Sequence, residues 1–238
     1  MNKHKKYDAS SIEVLEGLEP VRRRPGMYIG GTDNASMHHL FSEVIDNAMD
    51  EAVANFASFI EVKVETDNTI SIYDNGRGIP IDPHPNFPDK SALEVIMTTL
   101  HAGGKFSNKV YQTSGGLHGV GISVVNALSE FVDVEVYRDK KIYNQKFSKG
   151  NPTSKLKEIK KKTNKKGTKI SFKPDPEIFG PDNNFNCNKL YDFSKSKAFL
   201  FAGVEIRWFC DSEISKKENI PENDIFKFSQ GLIDLVQN

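Results

Sequence analysis

Between residues 36 and 54 apolar side chains recur at spacings of three and four: Leu40, Phe41, Val44, Ile45, Ala48, Met49 and Ala52. That spacing predicts an α-helix with one buried stripe. Beyond it the period changes to two. Ile60, Val62 and Val64 alternate with polar residues, a Thr66-Asp67-Asn68 turn follows, and Ile70 and Ile72 resume the alternation. Two strands joined as a hairpin are expected there. Ser91 to Leu100 reads as a short helix, and Ile122 to Leu128 as another that is approached through glycines. Val132, Val134, Val136 and then Ile142 predict a second hairpin, turning around Arg138-Asp139. Thr168 to Phe172 and Val204 to Phe209 read as further strands, with a helix from Lys189 to Phe201 between them. Hairpin-linked strands with helices in separate blocks favour an α+β two-layer sandwich over a doubly wound sheet.

Composition narrows the function classes. A chain of 238 residues can bury a sizeable core without disulfides or structural metals. With 32 basic and 32 acidic side chains, no chain-wide charge draws it to nucleic acid or to an anionic membrane. Its longest apolar stretch, Ala198 to Val204, is far short of the roughly 20 residues a spanning helix needs. Met1 to Lys6 is charged and shows no apolar signal segment, so a cytoplasmic protein is expected. Seven of the twelve residues from Lys155 to Lys166 are lysine. Without interleaved aromatics, that run reads as a solvated surface loop (153–167) before a strand. Cys187 and Cys210 have no CxxC partner, and the six histidines do not fall at metal spacing. A metal held by protein alone is therefore not expected, although one arriving with a phosphate ligand is compatible.

Eight of the 17 glycines fall between Gly76 and Gly121. Glycine is costly in packed elements, so such clustering marks backbone that turns tightly or approaches a ligand. Ser114 to Gly121 leads into the helix at Ile122, and a helix N-terminus approached by glycines suits a phosphate. It carries no Walker Gly-Lys-Ser/Thr and runs GxxGxG rather than GxGxxG, so on spacing alone a flexible hinge is the plainer reading. Asp74 ends a strand. Asp-Asn-Gly is also ordinary turn chemistry, but a carboxylate held there could accept from an exocyclic amine and select adenine. Glu43, Asn47 and Asp50 lie at i, i+4 and i+7 of the 36–54 helix, on one stripe beside the apolar one. Such a stripe is either a solvated face or a site. Asn47 could offer magnesium an oxygen, Glu43 could deprotonate a water, and Asp50 or Glu51 could pair with Arg77.

Taken in order, four segments resemble the four boxes of the GHKL ATPase superfamily: Glu43 to Ala52, Asp74-Asn-Gly-Arg-Gly-Ile-Pro80, Gly115 to Gly121, and Gly167-Thr168. Within that superfamily Glu19-Pro-Val-Arg-Arg-Arg-Pro-Gly-Met-Tyr-Ile29, His101 to Phe106 and Ser114 to Ser123 are similar to the ATPase lobe of bacterial type II topoisomerase B subunits. The likeness runs from Tyr7 to about Val236. Lys105-Phe-Ser-Asn-Lys and Gly119-Val-Gly-Ile-Ser-Val-Val-Asn resemble topoisomerase IV more than gyrase.

The resemblance implies a mixed, mainly antiparallel sheet with helices on one face, forming a single domain over 1–238. Residues 1–20 would be an N-terminal arm and 101–118 a nucleotide lid. It implies ATP and Mg2+ as cofactors, with Glu43 as general base and Asn47 as the magnesium ligand. Asp74 would accept from adenine with Thr168 beside it. Lys105 and Tyr111 would belong to the lid. Gly115, Gly116, Leu117, His118, Gly119, Val120 and Gly121 would wrap the phosphates. Tyr7 would reach the partner's nucleotide in a closed dimer. Asp50, Arg77, Gly78, Pro80 and Arg138 would complete or edge the pocket, where inhibitors of the family bind. Implied partners are a second copy in an ATP-dependent homodimer, a topoisomerase A subunit in a heterotetramer, and DNA through the holoenzyme; no membrane is implied. In the family a second, transducer domain follows and sends a lysine to the terminal phosphate. The 238 residues end before it, so an isolated lobe that binds ATP but hydrolyses it very slowly is expected.

Overall fold

The structure, a computed structural model, describes residues 12–102 and 119–237. Two short helices, α1 (Glu19–Arg23) and α2 (Gly26–Ile29), lead into the long α3 (Asn34–Val53). Strands β1 (Phe59–Val64) and β2 (Ile70–Asp74) follow, then a small hairpin of β3 (Pro83–His84) and β4 (Phe87–Ser91), and helices α4 (Ala92–Thr98) and α5 (Gly121–Ala127). Next come β5 (Ser129–Arg138), β6 (Lys141–Ser148), β7 (Asn151–Pro152), β8 (Lys157–Ile159) and β9 (Gly167–Pro174). The chain continues through α6 (Pro176–Phe179), α7 (Cys187–Leu200), β10 (Glu205–Cys210), α8 (Ser212–Glu218), β11 (Asn223–Lys227) and α9 (Leu232–Gln237).

Local chemistry explains several of these boundaries. The Asp33 carboxylate accepts from Ser36 N at 2.8 Å and starts α3. Ser91 caps α4 by accepting from Glu94 N at 3.1 Å, and Asn186 caps α7 by accepting from Lys189 N at 3.0 Å. The second hairpin turns one residue later than the pattern predicted. Asp139 and Lys140 carry the positive φ values of 51° and 62°, because a two-residue turn of this hand matches the twist of the strands it joins.

The main sheet runs β11-β10-β1-β2-β9-β5-β6-β7, with β8 beside β6. Only β1 and β10 pair in parallel; the other ladders among the described residues are antiparallel. The α+β sandwich with a mixed, mainly antiparallel sheet is therefore what forms. Its inner face carries Ile60, Val62, Ile72, Val134, Ile170, Phe172 and Trp208, all buried, and packs against α3, α5 and α7. Its outer face is polar and laced by cross-strand ion pairs such as Glu61–Arg207 at 3.3 Å and Glu130–Lys173 at 3.4 Å. Alternation along each strand thus sorts apolar from charged, and it decides which face the helices cover.

Part of the lysine run departs from the loop expected of it. Lys157–Ile159 pairs with β6, setting Ile159 opposite Ile142 and Glu158 opposite Tyr143, and the Lys141 ammonium meets the Glu158 carboxylate at 2.9 Å. The apolar and acidic residues inside the run give it a partner that its lysine count concealed. Residues 160–166 have no regular structure. Both cysteines are free and buried, and burial pushes the Cys187 thiol up to about 12 and that of Cys210 up to about 11. Among the described residues no helix is long and apolar enough to cross a membrane.

Stability should follow the sorting of the two faces. Phe172 is fully buried in β9. Phe172→Ala is expected to cost about 3–5 kcal/mol, seen as a lower urea midpoint at unchanged slope. Lys63→Ala, which removes an exposed pair with Glu65, should cost less than about 1 kcal/mol in the same titration.

Candidate functional site

A cavity of about 820 Å³ opens between α3, the end of β2, the start of β9 and the beginning of α5. Its floor is apolar, with Val44, Ile72, Ile79, Ile96 and Ile170 among the lining residues. None of these was singled out as a site residue: Val44 and Ile79 fall inside the motif segments, Ile72 and Ile170 on strands, and Ile96 in the short helix.

The polar wall grows from strand geometry. Register pairs β2 with β9 so that Asp74 stands opposite Thr168. Asp74 is only 7% exposed and Thr168 5%. Burial pushes the Asp74 carboxyl up to about 7; the N–H groups of Gly76 and Thr168 pull it back, while the charge of Glu51 pushes it further up. Gly76 N donates to Asp74 Oδ1 at 2.8 Å. Thr168 Oγ1 accepts from Ile79 N at 3.1 Å, which ties the segment after the glycine turn to β9. A pocket walled by a buried acceptor carboxylate at a strand end suits a ligand amine that donates into it.

Close backbone approach explains two glycines. A Cβ on Gly167, where φ is +107°, would lie 1.9 Å from the Asp74 carbonyl oxygen. A Cβ on Gly121 would lie 1.8 Å from Oε2 of Glu43. Only a residue without a side chain lets β9 start against the Asp74 backbone, and a glycine at 121 lets the Glu43 carboxylate lie directly against the start of α5. The Glu43 carboxyl is therefore at the first residue of α5, whose N-cap, Val120, supplies no side-chain cap. Asn47 lies one turn along α3 from Glu43 and lines the same cavity.

Glu51, rather than Asp50, pairs with the glycine turn. Its carboxylate accepts from Arg77 Nη2 at 2.7 Å, Nε at 3.1 Å and the backbone N at 2.9 Å. The Arg77 guanidinium also lies 3.8 Å over the ring of Phe56. Such a forked pair stacked on an aromatic face holds the turn to α3 by geometry as well as charge. Asp50 is buried and lines the cavity one residue away. Arg138 Nη1 donates to Gly78 O at 2.9 Å, and Arg138, Gly78 and Pro80 line the wall near Thr168. Gly119 and Gly121 also line the cavity. Val120 lies off it: the side chain packs on the core, and the carbonyl accepts from Val124 N at 2.9 Å inside α5. The resemblance gives Val120 a place in the backbone wrap around the phosphates, a role that does not involve its core-facing side chain. Tyr7, Lys105, Tyr111, Gly115, Gly116, Leu117 and His118 lie outside the described residues.

No group of three or more His, Cys, Asp or Glu side chains that could hold a metal occurs among the described residues. Along α3 the cavity is lined by the Asn47 amide and, against the start of α5, by the Glu43 carboxylate. That donor set fits a cation that keeps most of its ligands from water and phosphate.

Similar proteins agree with this geometry. The B subunit of DNA topoisomerase 4 from Bartonella bacilliformis is 59% identical, matching 96% of this chain and 33% of its own length. The B subunit of DNA gyrase from Thermotoga maritima is 49% identical over 98% of this chain and 35% of its own. The chain thus spans about a third of the length of the curated relatives it matches. The crystal structure of the 43K ATPase domain of Thermus thermophilus gyrase B, in complex with an aminocoumarin, aligns with a TM-score of 0.79 at 39% identity, covering 92% of this chain and 54% of that one. Residues 32–178, which hold α3, the Asp74 turn and the start of β9, match the model of the histidine kinase-, DNA gyrase B- and HSP90-like ATPases, and the chain belongs to that family.

Proposed function

We propose that this chain is the ATP-binding and hydrolysing lobe of the B component of a cytoplasmic type II DNA topoisomerase, of the topoisomerase IV kind. One observation carries the reading: the buried Asp74 carboxylate, paired in register with Thr168, lines the same largely apolar cavity as the Glu43–Asn47 stripe of α3. The higher identity to a topoisomerase 4 relative than to a gyrase relative favours the first of the two.

Each residue then has a chemical task. Asp74 accepts from the exocyclic amine of adenine with Thr168 beside it, and Pro80, Gly78, Arg77 and Arg138 edge the base, where ATP-site inhibitors would compete. Asn47 is the protein ligand for Mg2+, which supplies charge neutralisation at the phosphates when bound. The start of α5, with Gly119 and Gly121, faces the phosphates, and Glu43 takes the proton of the attacking water. A module that only binds nucleotide has no use for a carboxylate held at that helix start. In the whole protein this lobe would dimerise on ATP, assemble with a topoisomerase A subunit, and couple hydrolysis to the passage of DNA.

Three measurements test the assignment. Asp74→Asn turns an acceptor-only group into one that also presents donors, so calorimetry should show ATP affinity falling roughly 10- to 100-fold. Unchanged affinity in the folded variant would sink the adenine assignment.

Glu43→Gln should hold ATP affinity within a few-fold while single-turnover hydrolysis slows by roughly 10²–10⁴. Hydrolysis at the parental rate would assign the base to another group.

The third measurement uses pH. Burial raises the Asp74 carboxyl to about 7, so the free protein gains a proton there as pH falls through neutrality. ATP selects the carboxylate, and its affinity should therefore drop below pH 7, approaching tenfold per unit, and level off above it. The phosphates of ATP titrate in the same range. The informative quantity is thus the difference between the parent and Asp74→Asn, which should lack this component; parallel pH profiles would contradict the role.

A further inference from the structure

The face of the sheet turned away from the cavity is largely polar but carries a small buried aromatic cluster. Tyr73, Tyr137 and Ile142 are buried there, with Phe59 packed beside them, and Tyr137 also reaches the edge of the cavity. Tyr73 neighbours Asp74 in β2 and, by strand alternation, points to the opposite face. Register explains how the two tyrosines meet. On β9, Tyr73 pairs with Lys169 and Tyr137 with Gly167. Gly167 contributes no side chain, so the rings close over it edge to face, 5.7 Å apart at 78°. Phe59 packs edge-on to Tyr73 from the other side at 5.9 Å, and the Lys165 ammonium lies 5.3 Å from the Tyr73 ring centroid.

The hydroxyl of Tyr73 leaves this cluster in one direction. It donates to the carbonyl of Lys166 at 2.8 Å, across 93 residues of sequence. Lys166 is the last residue of the irregular 160–166 stretch and itself lines the cavity. The next residue, Gly167, lies against the Asp74 carbonyl, and the one after it, Thr168, supplies an N–H to the Asp74 carboxylate and a hydroxyl to Ile79 N. Burial pushes the Tyr73 phenol up to about 12, so it stays a donor throughout the neutral range.

We infer that Tyr73 is a positioning residue for the base-binding wall: its hydroxyl holds the Lys166–Gly167 peptide from behind the sheet and so sets where Thr168 presents its groups beside Asp74. The inference rests on the adenine reading of Asp74 given above. It assigns a task to a residue that does not line the cavity, and it gives a role to a buried aromatic patch on a largely polar face. The lysine-rich stretch thereby becomes a tether whose end is fixed by one side-chain bond. Motion in that stretch would reach the base pocket through Lys166.

Tyr73→Phe removes the hydroxyl and keeps the ring. Tyr191→Phe is the control, because the Tyr191 hydroxyl bonds Asp224 next to Trp208, far from the cavity. Calorimetry with ATP and with adenosine, amide hydrogen exchange and thermal unfolding are measured on the parent and both variants. In Tyr73→Phe the affinities for ATP and adenosine should fall together, roughly fivefold, as for the loss of one hydrogen bond. Exchange at Gly167 and Thr168 should quicken while the β5–β6 hairpin keeps its protection. Tyr191→Phe should bind both ligands like the parent whatever its thermal midpoint does. Unchanged ligand affinity in Tyr73→Phe overturns the inference, and so does an equal loss in Tyr191→Phe, which would assign the effect to global stability. A parent that binds no ATP overturns the adenine reading itself, and that outcome is distinguishable because it appears before any variant is compared.

Discussion

The register between β2 and β9 is the constraint on which the rest of the site depends. It brings the end of one buried strand against the start of another, so that Asp74 and Thr168 share the cavity wall and the Gly167 backbone touches the Asp74 carbonyl. Burying a carboxylate is costly unless hydrogen bonds replace water. Here Gly76 and Thr168 offer N–H groups, yet the carboxyl remains raised to about 7, so a ligand amine that donates to it would complete its hydrogen bonding. A one-residue slip would turn Asp74 to the outer face and Tyr73 inward, destroying the pocket and the aromatic cluster together.

A second convergence completes the site from the helical layer. Helix α3 presents Glu43 and Asn47, and α5 starts at Gly121 directly against the Glu43 carboxyl. The other end of α5 is pinned. Arg22 Nη1 donates to Ala127 O at 2.7 Å, Gly150 N to Asn126 O at 3.0 Å, and Asp175 N to Leu128 O at 2.9 Å. Arg22 Nη2 also meets the fully buried Asp175 carboxylate at 2.7 Å. A short helix has little stability of its own; these bonds fix its axis, and with it the direction of the N–H groups at its start. The Glu19-to-Ile29 segment thus has a structural task at the core as well as serving as a family signature.

The two faces of the sheet do different work. The inner face supplies the core and the apolar floor of the cavity. The outer face is held by exposed ion pairs that contribute little each, apart from the aromatic patch around Tyr73 and Tyr137. The patch lies directly behind Asp74 and Gly167, so a well-packed part of the outer face backs the polar wall of the site.

By itself the sequence determined a great deal. Apolar periods of 3.6 and 2 marked α3, β1, β2, β5, β9, β10 and α7, because burial of one stripe or one face is a local demand written into spacing. The Glu43-to-Ala52 stripe, the Asp74 turn and the glycine cluster were legible for a similar reason: close approach and helix-end chemistry restrict residue type at single positions. Tertiary structure decided the rest. Whether Asp50 or Glu51 would take Arg77 depended on which side of α3 faced the turn. Where the Val120 side chain would pack depended on the core beside it, and β8 within the lysine run depended on an edge of β6 left open for pairing. The link from Tyr73 to Lys166 spans 93 residues and exists only because β9 lies between β2 and β5 with a glycine at the crossing. Spacing along a chain records the demands of one element at a time, whereas such contacts are set by strand order and register, which no single segment contains.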